Sequence, residues 1–438
     1  MTSTILRSAH ESLYATKPLP RPLRTLRVAL AGCGVVGSAL VRLIQSSKHT
    51  LAAHHGLRIE IARVLVRDSH RDRGLGLEPS IFTNDVSAFL SVDADIVVEA
   101  IGGVQPAGRI AGATLARGRR LVTANKEFIS TSGPELNSLA FTNKTTLDFD
   151  AAVGGSVPIV RTLRDALGGA PPLSIRGILN GTSNYVLTCL ERGDSYEQAT
   201  ESARDRGLAE ADLSRDLDGR DVAAKIAILA WVAFRIPPSR IAVRRTGLLP
   251  DPGRFVSHAT ALGAKVRLIA ECVSLPGGCI TTVVEPVILT PESALGSTLL
   301  ENNRAEIDLG WGHPLCLSGP GAGGAPTATA LLSDILRETT AASGDLSTRR
   351  DSDLSCIEDP RAHRWVIAAR SSADSLVQFC EGASIPVVDV ATLAADTRVI
   401  TGAARRAQLD PLLLRLQQHH GLPIVARLET PLSVTEPS

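Results

Sequence analysis

Between Gly207 and Lys225 the chain reads GLAEADLSRDLDGRDVAAK, with acids at Glu210, Asp212, Asp216, Asp218 and Asp221 ahead of one lysine. Asp221 and Lys225 are four residues apart, so a helix carries both on one face. Val222–Ala224 precede the lysine, and Ile226–Phe234 follow without a polar residue. Most of such a helix is buried, which disfavours a simple surface ion pair. A buried ammonium must be paired or it loses its proton. A lysine held by carboxylates in such a place can deliver a proton to an oxygen that gains negative charge. A second lysine, Lys126, ends the run Thr123-Ala-Asn-Lys126 directly after a strand-like segment. A lone loop lysine is commonly solvated, but α/β sheets take ligands beyond the carboxyl ends of their strands.

Gly32-Cys33-Gly34-Val35-Val36-Gly37 matches the spacing GxGxxG, follows the apolar run RVALAG and opens the helical stretch SALVRLIQ. In that setting one glycine permits a tight turn, one lets pyrophosphate approach the backbone and one lets helix pack on strand. With both flanks in place, a dinucleotide site is preferred over a bland glycine turn. The second strand ends Leu65-Val66-Arg67-Asp68, with Arg71 and Arg73 close behind. Arg67 can pair with a ribose 2′-phosphate, which makes NADP(H) the preferred cofactor. Asp68 accepting from a 2′-hydroxyl would serve NAD(H), and a solvated charged turn is the bland alternative. Hydride delivered to an aldehyde leaves an alkoxide that needs a proton donor or cation within hydrogen-bond reach. Lysine supplies this without a metal, and the clustered acids can hold a substrate ammonium.

The elements that must position these groups follow from periodicity. Residues 27–32, 58–66, 95–101 and 120–124 read as strands alternating with helical stretches, which predicts a parallel α/β sheet. From about residue 148 a second region begins. It has a strand at 174–179, helices near 182–192, 195–206 and 219–234, and strands near 265–273, 280–289 and 304–309. This predicts a mixed sheet with helices on one side. Residues 338–360 are rich in Ser, Asp and Arg and read as a linker. Residues 364–428 resume a β-α-β-β-α-β rhythm.

Composition narrows the function classes. Lys+Arg is 46 against Asp+Glu 45, so no bulk charge draws the chain to nucleic acid or an anionic membrane. No apolar run reaches the roughly 18 residues of a membrane span. The first 25 residues carry Arg7, Lys17, Arg21, Arg24 and three prolines without an apolar core, and read as a disordered arm, with a weak transit peptide as the alternative, rather than a secretory signal. The seven cysteines are odd in number, scattered and without a CxxC. Buried thiols in a reducing cytoplasm are the expectation, in place of disulfides or zinc.

These residues carry a family likeness. GILNGTSNYVL (177–187), the 207–225 segment, TANK (123–126), DFDAAVGGSVPIV (148–160) and SGPGAGGAPTATALLSDI (318–335) resemble, in order, motifs of homoserine dehydrogenase, over about residues 27–337. The resemblance implies reversible NAD(P)H-dependent reduction of L-aspartate 4-semialdehyde to L-homoserine, in the aspartate-derived biosynthesis of threonine and methionine. It implies Lys225 as proton donor, with Asp221 and Lys126 in the catalytic set. It places Glu210, Asp221, Asp216 and Thr182 on the substrate, and Gly32, Gly34, Val35, Val36, Gly37, Ile101, Lys126, Gly207, Glu210 and Gly323 at the cofactor, beside Arg67. It also implies a structural sodium ion on Asp150, Val153, Gly155 and Val157, and a homodimer or homotetramer. The sequence departs from the family pattern at Asp150, usually Glu, at Ser156, usually Gly, and at Leu213, usually Pro.

The tail resembles the ACT regulatory domain, a small ferredoxin-like unit, but Arg370-Ser371-Ser372-Ala373-Asp374 lacks the Pro and Gly of the usual first turn. The expected architecture is therefore α/β. It comprises a disordered arm (1–25), a Rossmann-type NAD(P)-binding domain (26–147), and an α+β substrate and dimerisation domain (148–337) whose residues 318–337 return to the cofactor domain. A linker (338–360) and a separate ACT-like module (361–438) complete it. Two other readings are a paralogue that reduces a related aldehyde and a catalytically silent amino-acid sensor.

Overall fold

The computed structural model describes residues 23–209, 212–337, 346, 355–356 and 358–429. Six parallel strands form its first sheet: β1 (Arg24–Ala31), β2 (Leu57–Leu65), β3 (Phe82–Thr83), β4 (Ile96–Glu99), β5 (Arg120–Thr123) and β6 (Leu147–Asp148). Their order is β3-β2-β1-β4-β5-β6. The chain direction across the sheet reverses between β1 and β4, and a crevice opens there beyond the strand ends. All four residues of β4, and Leu30 and Ala31 at the end of β1, are buried, as expected for a sheet covered on both faces. Helix α1 (Val35–Ser46) leaves the end of β1. β1 starts at Arg24, within the span expected as an arm (1–25), of which residues 1–22 lie outside the described residues.

The second sheet holds twelve strands. They are β7 (Ser174–Ile178), β8 (Val243–Arg245), β9 (Lys265–Ser274), β10 (Ile280–Leu289), β11 (Asn302–Asp308), β12 (Leu315–Pro320), β13 (Ser355–Cys356), β14 (Ala362–Ala369), β15 (Val387–Leu393), β16 (Asp396–Thr401), β17 (Ala404–Arg405) and β18 (Ile424–Leu428). The main path runs β12-β11-β7-β9-β10-β18-β14-β16-β15. The sheet is mixed: β9 is antiparallel to β10, whereas β8, β13 and β18 share the other edge of β10 in parallel.

Three helices connect the sheets to the site: α2 (Lys126–Thr142), α3 (Gly181–Glu191) and α4 (Arg220–Phe234). Ten of the fifteen residues of α4 are buried, including Lys225. Trp231 on α4 stacks on Phe149 with ring centroids 5.5 Å apart. The benzo edge of that ring fills a notch in α2, because a Cβ on Gly133 would stand 2.7 Å from Trp231 Cζ3. Glycine inside a helix costs about 1 kcal/mol relative to alanine. Here it lets α2 and α4 approach, and so sets the spacing between Lys126 and Lys225. The helix α5 (Gly324–Leu336) packs on the first sheet. Its Ala328, Leu331, Leu332 and Ile335 share a core with Leu26, Val28, Leu40 and Val41.

Two expectations are corrected. The tail forms the β-α-β-β-α-β sequence, but it is no separate body, because β18 pairs with β10 through Val287–Arg427 and Ile288–Leu428. An edge strand with open N–H and C=O groups is a template for another strand, and the tail supplies that strand. Charge reinforces the joint: Arg427 Nη1 lies 2.6 Å from Glu271 and 3.3 Å from Glu285, and Arg361 reaches Glu271 at 3.0 Å. The second correction concerns cysteine. Cys279 and Cys356 form a disulfide across a sequence separation of 77. The pairing of β13 beside the start of β10 brings them together, and no local spacing records that. The linker is anchored at one more described residue, Leu346, whose carbonyl accepts from Trp231 Nε1 at 3.3 Å. Among the described residues no helix is long and apolar enough to cross a membrane.

Candidate active site

The glycine loop has the geometry its spacing implies. Gly32 has φ +98, and a Cβ there would lie 2.5 Å from the Ala100 carbonyl oxygen. A Cβ on Gly37 would lie 2.1 Å from the Gly32 oxygen, whereas one on Gly34 would meet nothing within 4 Å. The first and third glycines thus pack chain on chain, and the middle one faces open space at the start of α1. Val35 is 78% exposed there, and Val36 packs on the first-sheet core. The helix amides directed at that space, with the positive end of the helix dipole, suit a phosphate. Gly323 has φ +111, and Gly324 beside it contacts Val35, so the returning segment borders the loop. The Gly32 N–H donates to the Leu65 carbonyl at 2.9 Å, which puts the end of β2 alongside. Arg67 is exposed there. Arg73 is otherwise engaged: it stacks over Phe82 at 5.2 Å and donates to the Asp68 carbonyl at 2.7 Å.

Beyond β4, Ile101 is partly exposed, and its N–H donates to the Glu99 carboxylate at 2.8 Å. Glu99 is fully buried and also accepts from Thr123 Oγ1 at 2.6 Å and Gly102 N at 3.2 Å. Burial pushes its pKa up, against the pull of these donors. Asn125 caps α2 through its side-chain oxygen, and its amide donates to the Gly103 carbonyl at 2.7 Å. The crevice loop 100–103 is thereby fastened to the start of the helix that carries Lys126.

Lys126 and Lys225 meet at one carboxylate. Lys126 Nζ is 2.9 Å from Asp221 Oδ1 and Lys225 Nζ is 2.7 Å from Asp221 Oδ2. Lys225 also donates to the Leu179 carbonyl at 2.7 Å. An ammonium has three N–H donors. Two are thus placed, leaving one without a partner among the described residues. Burial alone would raise the pKa of Asp221, but Lys225 and then Lys126 hold it well below the usual carboxylate range. Burial works against charge on Lys126 too, yet Asp221 outweighs it and keeps the ammonium above its ordinary pKa. Asp216 is pushed up by burial. Thr182 Oγ1 donates to the Leu208 carbonyl at 2.8 Å, which brings Gly207, at φ +67, beside α3. Glu210 lies outside the described residues.

Sequence reasoning missed Asn180 and Glu99. Asn180 donates to Asp216 at 2.7 Å and to Asp221 at 2.9 Å, and it stood in plain sight inside GILNGTSN. Glu99 closed an apolar strand and carried no spacing signal. At the expected sodium loop, Asp150 Oδ1 accepts from Arg161 N at 3.1 Å and the Val157 carbonyl accepts from Ile159 N at 2.8 Å. Burial pushes the Asp150 carboxyl up to about 6. Gly155 is pressed against Gly321, and Val153 is fully buried. The Asp150 carboxylate and the Val157 carbonyl thus each accept a backbone N–H, and both keep lone pairs beyond that contact.

Comparison with known proteins adds an independent line. A family model described as the NAD binding domain of homoserine dehydrogenase matches residues 32–150, and one described as homoserine dehydrogenase matches residues 158–336. The homoserine dehydrogenase of Mycobacterium tuberculosis is 35% identical over 324 residues, 73% of each chain. That of Bacillus subtilis is 33% identical over 319 residues, 72% of this chain and 73% of its own. A crystal structure of a homoserine dehydrogenase from Thiobacillus denitrificans superposes with a TM-score of 0.81, covering 93% of this chain and 99% of that one at 24% identity, a likeness of fold. A hyperthermophilic archaeal homoserine dehydrogenase in complex with NADPH gives 0.59 at 26% identity, covering 72% and 97%. Neither a paralogue of altered substrate nor a silent sensor is favoured by these likenesses.

Proposed function

Because the chain belongs to the homoserine dehydrogenase family, we propose that it interconverts L-aspartate 4-semialdehyde and L-homoserine, with Lys225 as the proton donor. The observation that carries this reading is the pair of lysines on Asp221 at the carboxyl edge of a parallel sheet whose glycine loop is shaped for a dinucleotide. When bound, the nicotinamide cofactor supplies the hydride. Gly32, Gly34, Val35, Val36 and Gly37 would hold its phosphates, with Ile101, Gly207 and Gly323 bordering it. The aldehyde carbon gains a C–H bond, and the C=O π pair moves onto oxygen. Lys225 directs its remaining N–H at that oxygen and passes the proton, completing the alcohol. Asp221 and the Leu179 carbonyl fix the ammonium for that transfer. Asp216, Asp221 and Glu210 would take the substrate ammonium, with Thr182 supporting the 207–208 loop, and Lys126 would stand between cofactor and substrate. No step of this reading runs through a sodium ion.

The test is oxidation of L-homoserine and reduction of aspartate semialdehyde, followed by nicotinamide absorbance. Absence of both reactions in the folded protein would sink the reading. Arg67 at the end of β2 supports NADP(H) over NAD(H). Arg67→Ala should weaken NADPH by about tenfold with NADH little changed, the scale of one charge-assisted hydrogen bond. Equal kcat/KM for the two cofactors in the parent protein would overturn that preference. The tail is proposed to be a diverged ACT-like module, because its β-α-β-β-α-β order runs β18-β14-β16-β15 in space. Its first turn lacks the usual Pro and Gly, so activity should hold across a millimolar threonine titration. A homodimer or homotetramer in the cytoplasm completes the proposal, and sedimentation of the purified chain decides its oligomer number.

A further inference from the structure

The corner between β7 and α3 is fixed from several directions. Ile178 pairs with Arg304 on β11. A Cβ on Gly181 would lie 2.5 Å from the Glu301 carbonyl oxygen. Asn184, one turn on, donates to the Leu300 carbonyl at 2.9 Å. Leu179 and Asn180 sit in this corner, both buried. Leu179 gives its carbonyl to Lys225. Asn180 uses all of its side chain: Oδ1 accepts from Ser183 N at 2.7 Å, and Nδ2 donates to Asp216 Oδ1 at 2.7 Å and Asp221 Oδ2 at 2.9 Å. The cap sets the orientation of the amide, because only its oxygen can accept from the helix N–H. Both N–H groups must then face the acids. Asparagine is the one side chain of this length with an acceptor for the cap and two donors for two carboxylates. Aspartate would bring a third negative charge, and serine has one hydroxyl proton.

We propose that Asn180 is a positioning residue of the reaction: its amide bridges Asp216 and Asp221 and holds them in the arrangement that Lys225 needs. The bridge rests on the reading of Lys225 and Asp221 given above and deepens it. Asp221 faces Lys225 and Lys126, and Asp216 faces Asp221, Lys225 and Lys126. With the amide in place, two neighbouring carboxylates can both be ionised. Without it, Asp216 protonates more readily and Asp221 loses one of the contacts that aim it at Lys225.

Asn180→Ser and Asn180→Asp test this, because both residues cap helices about as well as asparagine and so preserve the fold. A capping role alone leaves both variants like the parent. A bridging role lowers kcat/KM for homoserine about tenfold in Asn180→Ser, the scale of hydrogen bonds to charged groups. The loss is larger in Asn180→Asp, while the cofactor KM stays within about twofold. The acid limb of the kcat/KM profile moves up by about one pH unit in Asn180→Ser, a single lost charge-assisted bond, and further in Asn180→Asp. Carboxyl carbon NMR of aspartate-labelled protein gives a readout independent of turnover: the Asp216 midpoint should rise by about one unit in Asn180→Ser. Variants with the parent's melting temperature, kcat/KM and Asp216 midpoint would overturn the bridge. If the parent fails to turn over homoserine, that reading of the substrate falls by itself, and the Asp216 midpoint alone decides the bridge.

Discussion

Of two buried charge clusters among the described residues, one faces the crevice and the other does not. At the crevice, Asp221 is held by Lys126 and Lys225 with Asn180 and Asp216 beside it. At the β6 edge of the first sheet, Asp148 is fully buried and takes Arg164 at 3.2 Å, Arg337 at 2.5 Å and Arg120 at 3.4 Å. Asp334 takes Arg161 at 3.2 Å and the Asp150 N–H at 3.0 Å. That second cluster joins β5 and β6 to α5 and to the segment after the 150s loop. Both clusters bury carboxylates among cations, so burial of charge alone does not mark a catalytic site. The cation does: a guanidinium stays charged and grips with a planar fork, whereas a lysine ammonium can release its proton. The arginine cluster is suited to clamp domains together, and the lysine cluster to move a proton.

The sharpest way to break this contrast is to remove one cation from each. Arg164→Ala leaves Asp148 buried with weaker compensation and should destabilise the fold by about 3–5 kcal/mol, as for a broken buried pair. Urea unfolding measures this, and kcat of the folded fraction should be near that of the parent. Lys225→Ala should act on turnover beyond any loss of stability: kcat of the folded fraction falls by at least about 10², the worth of a positioned acid. Lys225→Arg should be equally slow, since it keeps charge without a transferable proton. Near-parent turnover in either Lys225 variant would move the role to Lys126.

A third change tests how the clusters' helices are spaced. Gly133→Ala drives a methyl into the Trp231 ring, an overpacking that should cost about 1–3 kcal/mol. It should also lower kcat severalfold by displacing Lys126 from Asp221. An unchanged melting temperature would show that α2 and α4 adapt freely. The smallest effect is one of slope. Burial, Asp148 and Asp150 push the Asp334 carboxyl up to about 8. The folded chain then keeps a proton that the unfolded chain releases near pH 4. This contribution to stability is complete below that pH and fades as the pH rises through about 8. Asp150, at about 6, acts in the same sense over a narrower window. Stability should therefore fall with rising pH across that range, and Asp334→Asn should flatten the fall. Identical slopes in the two proteins would remove Asp334 from the account.

The tail teaches the same lesson about reach. Its strands and helices were legible one by one, yet a chain ending near residue 345, which a separate module would leave intact, would lose Arg361 and Arg427 and leave Glu271 and Glu285 without these partners in the core. Its docking is a matter of sheet pairing over more than a hundred residues, which periodicity does not encode.

The amino-acid sequence by itself determined the parallel first sheet, the glycine loop, the helix carrying Asp221 and Lys225, and the place of Lys126 just after a strand. These depend on short-range rules: two glycines where a Cβ would clash with nearby backbone, apolar runs for buried strands, and a four-residue spacing on one helical face. Tertiary structure alone decided that Lys126 and Lys225 share one carboxylate, that Asn180 bridges Asp216 to Asp221, that Asp148 and Asp334 gather arginines, and that Cys279 meets Cys356. Each of those contacts joins segments tens to hundreds of residues apart. Hydrogen bonds and ion pairs act over a few ångströms, so they exist only once packing has brought the segments together.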